Sequence, residues 1–362
     1  MNLPYQGAIG PLKMTVLVTL MGIVLQACNP AEQPPQATNE STLVSQPANP
    51  GVNPETKGIT IDGSSTVFPI TEAIVGDYQR MERKAAKVDV AFSGTGGGFK
   101  KFCAGETDIN NASRPISEQE MAACKQAGVT YIELPIAFDA LTLVIHPKNT
   151  WAKDITVEEL KKIWEPAAEG KITTWQQVRA EWPDRPLKLF GPGKESGTFD
   201  YFTEAIVGKA KASRSDYTAS EDDTTLVKGV ASDENALGYF GFAYYEASLN
   251  RLKPLSLDSG KGPVLPARET VRDGSYQPLS RPLFIYVNAK AVVGRPELKA
   301  FVEYYLQNAE RYVKQVGYIP LDDEVYRIGL AHLQENRTGT AFGGRAQISL
   351  KLEELLQKEK QF

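Results

Sequence analysis

Three stretches of small polar residues carry the chemistry this chain is equipped for. Gly63-Ser64-Ser65-Thr66, Ser93-Gly94-Thr95-Gly96-Gly97-Gly98 and Gly191-Pro192-Gly193-Lys194-Glu195-Ser196-Gly197-Thr198 each lie between an apolar strand-like run and a helix-like one. The first backbone N–H groups of a helix have no intrahelical acceptor and together carry about half a positive charge. Gly, Ser and Thr ahead of such a helix let amides approach an anion and add hydroxyl donors. One such turn alone is usually only a cap, because the same residues cap helices and build turns. Ser64–Thr66, Ser93–Gly98 and Ser196–Thr198 brought face to face would instead wrap a tetrahedral oxyanion. Each hydrogen bond to a charged oxygen contributes about 1.5–3 kcal/mol, so about eight fixed donors would offset the ion's desolvation. Two serines before Thr66 exceed what a cap needs, and the triplet Gly96-Gly97-Gly98 costs backbone entropy. A fourth element, Asn111-Ala112-Ser113-Arg114-Pro115, places an arginine before proline, hence in extended or turn backbone. Its planar fork suits an oxyanion; the alternative is a surface ion pair with Glu118 or Glu120.

Other chemistries find little support. The chain has two histidines, His146 before a proline and His332 among leucines, both in structural settings. Ser196 is not in a Gly-x-Ser-x-Gly elbow, no glycine turn ends as a nucleotide P-loop does, and no His/Cys group has metal-ligand spacing. Asp222-Asp223 reads as an acidic helix start, and Trp151, Trp164, Trp175 and Trp182 as packing aromatics. The formal charge is −4, and removing residues 1–27, whose one charged residue is Lys13, takes it to −5. That argues against nucleic acid, which needs a basic face, and means an anion must be held by fixed donors rather than by the net field. The expectation is a binding protein without catalytic residues, metal or cofactor.

The elements that must position these turns alternate short apolar strands with amphipathic helices from Lys57 onward, the pattern of α/β lobes. Residues 58–61 read as a strand and Pro69 to Arg83 as a helix with proline in its first turn. Val88 to Phe92 reads as a strand, followed by a helix carrying Phe99, Phe102 and Cys103; Pro186 to Phe190 and Phe199 to Val207 repeat the unit. Two strongly apolar strands, 140–146 and 283–287, flank a middle segment of about 140 residues, as a chain would that crosses to a second lobe and returns. Lobe one is therefore expected at 58–138 plus 288–362 and lobe two at 139–287. Ser349 to Lys360 reads as an amphipathic helix with a solvated charged face.

The ends and the cysteines point to export. Met14 to Leu25 is an uncharged apolar run of twelve after Lys13, too short to span a bilayer and suited to a signal peptide over residues 1–27. Leu25-Gln26-Ala27-Cys28 resembles a bacterial lipobox, which implies lipidation of Cys28; a plain secretory signal is the alternative. Residues 28–57, rich in Pro, Gln, Asn, Ser and Thr, read as a disordered tether. Cys103 and Cys124 then remain, either bridged or as two buried thiols, and export favours the bridge. A disulfide there would contribute about 3 kcal/mol in the chain-entropy model.

Six stretches in order resemble the phosphate-binding protein family of ABC importers, most closely its cyanobacterial members. They are Ile61 to Pro69, Ser93 to Lys100, Asn111 to Pro115, Gly170 to Trp175, Glu195 to Thr198 and Ala236 to Gly241, and the resemblance spans about residues 58 to 330. It implies a two-lobed periplasmic-binding-protein fold of type II with the ligand in the cleft. It also implies phosphate contacts from Ser65, Thr66 and Val67 (through its amide), from Thr95 and Gly96, from Ser113 and Arg114, and from Ser196, Gly197 and Thr198. The expected partners are inorganic phosphate and an importer permease in the inner membrane; a monomeric, lipid-anchored periplasmic protein is expected. Many members have aspartate where this chain has Arg114. That acid accepts the ligand's proton and rejects fully ionised anions. Its role here would fall to Asp62, Glu195 or Asp223, or another oxyanion such as sulfate, phosphite or phosphonate would be the ligand of a receptor or sensor; a phosphate-ester hydrolase is the more remote reading. Some relatives also have an arginine shortly before Ser196, which this chain lacks.

Overall fold

The computed structural model describes residues 57–81 and 86–362. The expected signal peptide, Cys28 and nearly all of the tether lie outside the described residues. Eight strands form one continuous path, in the order Val88–Val90, Ile59–Gly63, Ile109–Ala112, Ser280–Asn288, Tyr131–Ile145, Ala236–Gly241, Lys188–Pro192 and Thr218–Ser220. Ile59–Gly63 runs parallel to both its neighbours, and Lys188–Pro192 runs parallel to both of its own. Between these parallel groups lie antiparallel pairings, so the molecule has two α/β halves joined through its middle strands.

Tyr131–Ile145 is the joint. Its residues 131–140 pair with Ser280–Asn288, and Leu141 to Ile145 pair with Ala236–Gly241, so one strand passes from half to half. All fifteen of its residues are buried. A strand covered on both faces has no polar alternation to show, and Glu133, Pro135 and Asp139 interrupt its apolar run. For that reason the sequence pattern reveals only its second part, from Ala140. The return strand is likewise longer than expected, beginning at Ser280 rather than Leu283.

Each half has its own apolar packing. Helix Phe68–Met81 lays Ile70, Ile74 and Tyr78 inward, and Tyr78 meets Phe301 of helix Pro296–Gln315 edge-on at 5.2 Å. In the other half Phe202 stacks on Tyr239 at 3.8 Å, with Trp164 edge-on to Tyr239 at 4.9 Å. Three of the four tryptophans are buried, which agrees with a packing role. Cys103 and Cys124 are bonded, with Cα atoms 4.3 Å apart. The bond ties helix Thr95–Cys103 to helix Glu118–Gln126 and so braces the second glycine turn against the loop carrying Ser113 and Arg114. No described helix is long and apolar enough to cross a membrane.

The parallel strands place the site. Ile59–Gly63, Ile109–Ala112 and Lys188–Pro192 deliver the polar turns at their carboxyl ends, where open α/β sheets bind ligands.

Candidate functional site

The turns converge where the halves meet. Ser64 N–H donates to the Asn111 carbonyl at 2.9 Å, fixing the first turn to the adjacent strand. Thr95 Oγ1 accepts the Ser113 N–H at 3.1 Å and lies 3.2 Å from Ser113 Oγ, which joins the second turn to the fourth element. From the other half, Thr198 Oγ1 lies 3.1 Å from Thr66 Oγ1. Ser65 Oγ donates to Asp223 Oδ2 at 3.3 Å, and Tyr244 Oη donates to the Ser65 carbonyl at 2.8 Å. Gly197 makes the approach possible: a Cβ there would come within 2.5 Å of Thr95 Oγ1 and 2.7 Å of Ser113 Oγ. Ser196 caps its helix by accepting the Thr198 N–H at 3.1 Å. Ser65, Thr66, Thr95, Ser113, Ser196 and Thr198 are all buried.

A guanidinium lies among these hydroxyls. Arg281 is 0% exposed. Its Nη2 donates to Thr198 Oγ1 at 2.8 Å and to Asp139 Oδ2 at 2.9 Å, and its Nε reaches the same carboxylate oxygen at 3.2 Å. Its Nη1 is buried without a hydrogen-bond partner among the described residues, as is the hydroxyl of Tyr318. Arg281 and Asp139 face each other in register on the two middle strands, and Asp139 Oδ1 also accepts the Phe242 N–H at 3.0 Å. Burial pushes the Asp139 carboxyl up against the pull of Arg281. Asp223 is pushed up to about 7, by burial first and by the nearby Asp139 charge, against the opposing pull of Arg281 and the Ser65 hydroxyl.

The chemistry of this arrangement is that of a cradle. A hydroxyl from each half, Thr66 and Thr198, meets a guanidinium whose charge is largely balanced by Asp139, so an arrangement of this kind can hold an anion by placed donors more than by net charge. The histidines take no part: His146 Nδ1 accepts the Lys148 N–H, and His332 packs on Phe362. Among the described residues no cluster of His, Cys, Asp and Glu could hold a metal ion.

A family model described as a PBP superfamily domain matches residues 32–309. The chain belongs to the PBP superfamily. Within it, SphX of Synechocystis is 58% identical over 306 residues, covering 84% of this chain and 91% of the relative. PstS of Staphylococcus saprophyticus, a phosphate-binding protein, is 36% identical over 276 residues, covering 75% of this chain and 82% of the relative. A Clostridium perfringens substrate-binding protein solved with bound phosphate is 26% identical, with a TM-score of 0.62 over 74% of this chain and all of that one. The two-lobed architecture expected from the sequence is thus the fold of this PBP-superfamily chain.

Not every expected contact residue faces the cradle. Arg114 turns its guanidinium aside: Nη1 and Nη2 donate to the two Glu120 oxygens at 2.8 Å each, and Nε to Asp200 Oδ2 at 2.8 Å. Gly96 gives its N–H to the Glu195 carbonyl across the cleft at 2.8 Å, so its amide is engaged. The glycine triplet serves close approach instead; a Cβ on Gly97 would lie 2.9 Å from Ser93 Oγ, and one on Gly98 2.5 Å from Gly63 Cα. Of the carboxylates considered as proton acceptors, Asp62 pairs with Lys101 and accepts from Ser93 Oγ, and Glu195 pairs with Lys100 at 2.6 Å. Only Asp223 reaches a cradle hydroxyl. Arg281, Asp139 and Tyr318 escaped sequence reasoning. The signal for the pair was an aspartate and an arginine beside the apolar runs of the two crossing strands, since a charge buried there needs a partner.

Proposed function

We propose that this chain captures inorganic phosphate between its halves and passes it to the permease of an ABC importer, outside the cytoplasm, held to the membrane by a lipid on Cys28 and catalysing nothing. One observation carries the proposal: a fully buried arginine, Arg281, with an unpartnered Nη1, whose Nη2 meets the hydroxyls of Thr198 at 2.8 Å and Thr66 at 3.5 Å, from turns far apart in the chain. The phosphate-named relatives support the choice of oxyanion. The contacts we assign are the hydroxyls of Ser65, Thr66, Thr95, Ser113, Ser196 and Thr198, the backbone of Val67 and Gly197, and the guanidinium of Arg281.

Asp223 supports phosphate over sulfate. A carboxylate at the cradle wall needs a proton from its ligand, which a phosphate anion retains near neutral pH and sulfate lacks. Isothermal titration of the purified protein with phosphate and with sulfate tests the proposal, beside Arg281→Met. Phosphate should bind the wild type with sulfate a weak competitor, and Arg281→Met should lose about 10- to 100-fold in affinity, as expected when a charge-assisted contact goes. Equal affinity for the two anions, or no heat with either, would sink it.

A further inference from the structure

Arg114 follows Ser113 directly, yet its side chain leaves the cradle and reaches Asp200 in the other half. Its partner in its own half is Glu120, gripped by both Nη atoms and itself fixed by the Ser117 N–H and hydroxyl at 2.8 Å each. Asp200 lies in helix Gly197–Phe202, just past the residues that bring Ser196, Gly197 and Thr198 to the cradle. We infer that Arg114 is a positioning residue acting through Asp200: the ion pair fastens the helix bearing Thr198 to the loop bearing Ser113, and sets how long the closed form holds its anion without touching it.

Of the bonds that cross between the halves among the described residues, this is the buried ionic one outside the cradle. Lys100 to Glu195 also crosses, at 2.6 Å, but both side chains are solvent-exposed, and water and salt weaken such pairs. Arg114 and Asp200 side chains are 7% and 5% exposed. The two arms of Arg114 differ in strength. Burial pushes the Glu120 carboxyl up, but Arg114 and Ser117 outweigh it and hold it below the usual range. Burial also pushes Asp200 up, and there Arg114 and Lys211 do not undo it. Asp200 Oδ1 has no hydrogen-bond partner among the described residues, and Lys211 Nζ stands 4.0 Å away. The Glu120 arm is therefore the fixed one and the Asp200 arm the one that opens. A cavity of about 720 Å³ borders the pair, lined by Arg114, Glu120 and Asp200 among others, so water can take over both charges as the halves part. A latch of this kind acts after the anion has entered. It governs escape more than capture, as most changes within one complex do.

The inference rests on the proposed phosphate cradle, and its test separates the two. Phosphate association and dissociation are followed by stopped flow in wild type, Asp200→Asn and Asp200→Glu, with one spin label on each half reporting their separation by pulsed EPR. Asp200→Asn should release phosphate about 10- to 100-fold faster with association changed less than about twofold, and should shift the ligand-free distances toward the open form. Asp200→Glu should restore most of both. An unchanged release rate, or a loss confined to association, overturns the latch. Should the wild type not bind phosphate at all, the proposed function fails, and the ligand-free distances decide the latch alone: identical distributions in wild type and Asp200→Asn overturn it. If Asp200→Asn does not fold, Arg114→Lys, which keeps a cation beside Glu120 but loses the Nε contact, carries the same comparison.

Discussion

The role proposed for Asp223 makes the choice between phosphate and sulfate depend on pH, because burial pushes its carboxyl up to about 7. With the carboxyl pushed up to about 7, it is mostly protonated at pH 6 and mostly ionised at pH 8. Ionised, it accepts a hydrogen bond and requires a proton on the anion; protonated, it donates and tolerates a proton-free oxygen. The preference for phosphate over sulfate should therefore be stronger at pH 8 than at pH 6. Asp223→Asn offers both a donor and an acceptor at every pH, so it should admit sulfate and flatten the dependence. Competition titrations at the two pH values check this, and a wild-type preference independent of pH would rule Asp223 out as the filter. From sequence alone Asp223 read as part of an acidic helix start and as one of three candidate proton acceptors, beside Asp62 and Glu195; Asp222 serves the helix start, accepting the Thr224 N–H at 2.8 Å. The sequence did not choose among those three, because the choice depends on Ser65, more than 150 positions away in the chain.

Elements whose pattern is local were legible. Strand, polar turn and helix were foreseen at the first, second and third turns to within a few residues, because turn chemistry and apolar spacing are short-range signals. The C-terminal helix shows where that stops. Its charged face read as solvated, yet helix Leu352–Gln361 buries Glu359 together with Leu352 and Leu355. The Glu359 carboxyl lies near His332, and burial and then the charge of Glu133 push it up to about 8, against the opposing Lys358. Glu133 is itself pushed up to about 7 by burial, although Tyr286 Oη donates to it at 2.6 Å and the Ala341 N–H at 2.9 Å. Both folded values lie above the unfolded ones, so this stabilisation is full below about pH 4.5 and is lost as pH rises through about 7 to 8. His332, held neutral by burial, works in the opposite sense only below about pH 6.5. The melting temperature of the ligand-free protein should thus fall between pH 6 and pH 9. Glu359→Gln should flatten that slope and gain on the order of 2 kcal/mol at pH 9. Melting curves across the range check it; a slope unchanged by the substitution would remove Glu359 as its source.

At the scale of the molecule, the strands that join the halves also carry the charge at the cradle. Arg281 and Asp139 are opposed in register there and are 0% exposed. A buried ion pair is a poor way to stabilise a fold, since a neutral replacement of similar shape often does as well, whereas removing one partner costs about 3–5 kcal/mol. Kept for stability alone the pair makes little sense; the proposed role, a guanidinium presented to an anion where the halves join, accounts for it. This separates the variants. Arg281→Met with Asp139→Asn leaves a neutral pair and preserves an acceptor for the Phe242 N–H. Its ligand-free stability should stay within about 1 kcal/mol of wild type, while the gain of about 2.7 kcal/mol expected at a phosphate concentration 100 times the dissociation constant disappears. Asp139→Asn alone should behave in the opposite way. It strands the guanidinium and destabilises the ligand-free protein by about 3–5 kcal/mol, but phosphate then becomes the missing counter-charge, and the gain on adding it should exceed that of wild type. Urea unfolding of the variants with and without phosphate reads each quantity directly. If Asp139→Asn loses stability and phosphate restores no more of it than in wild type, Arg281 does not face the anion, and the cradle must be built on its hydroxyls alone.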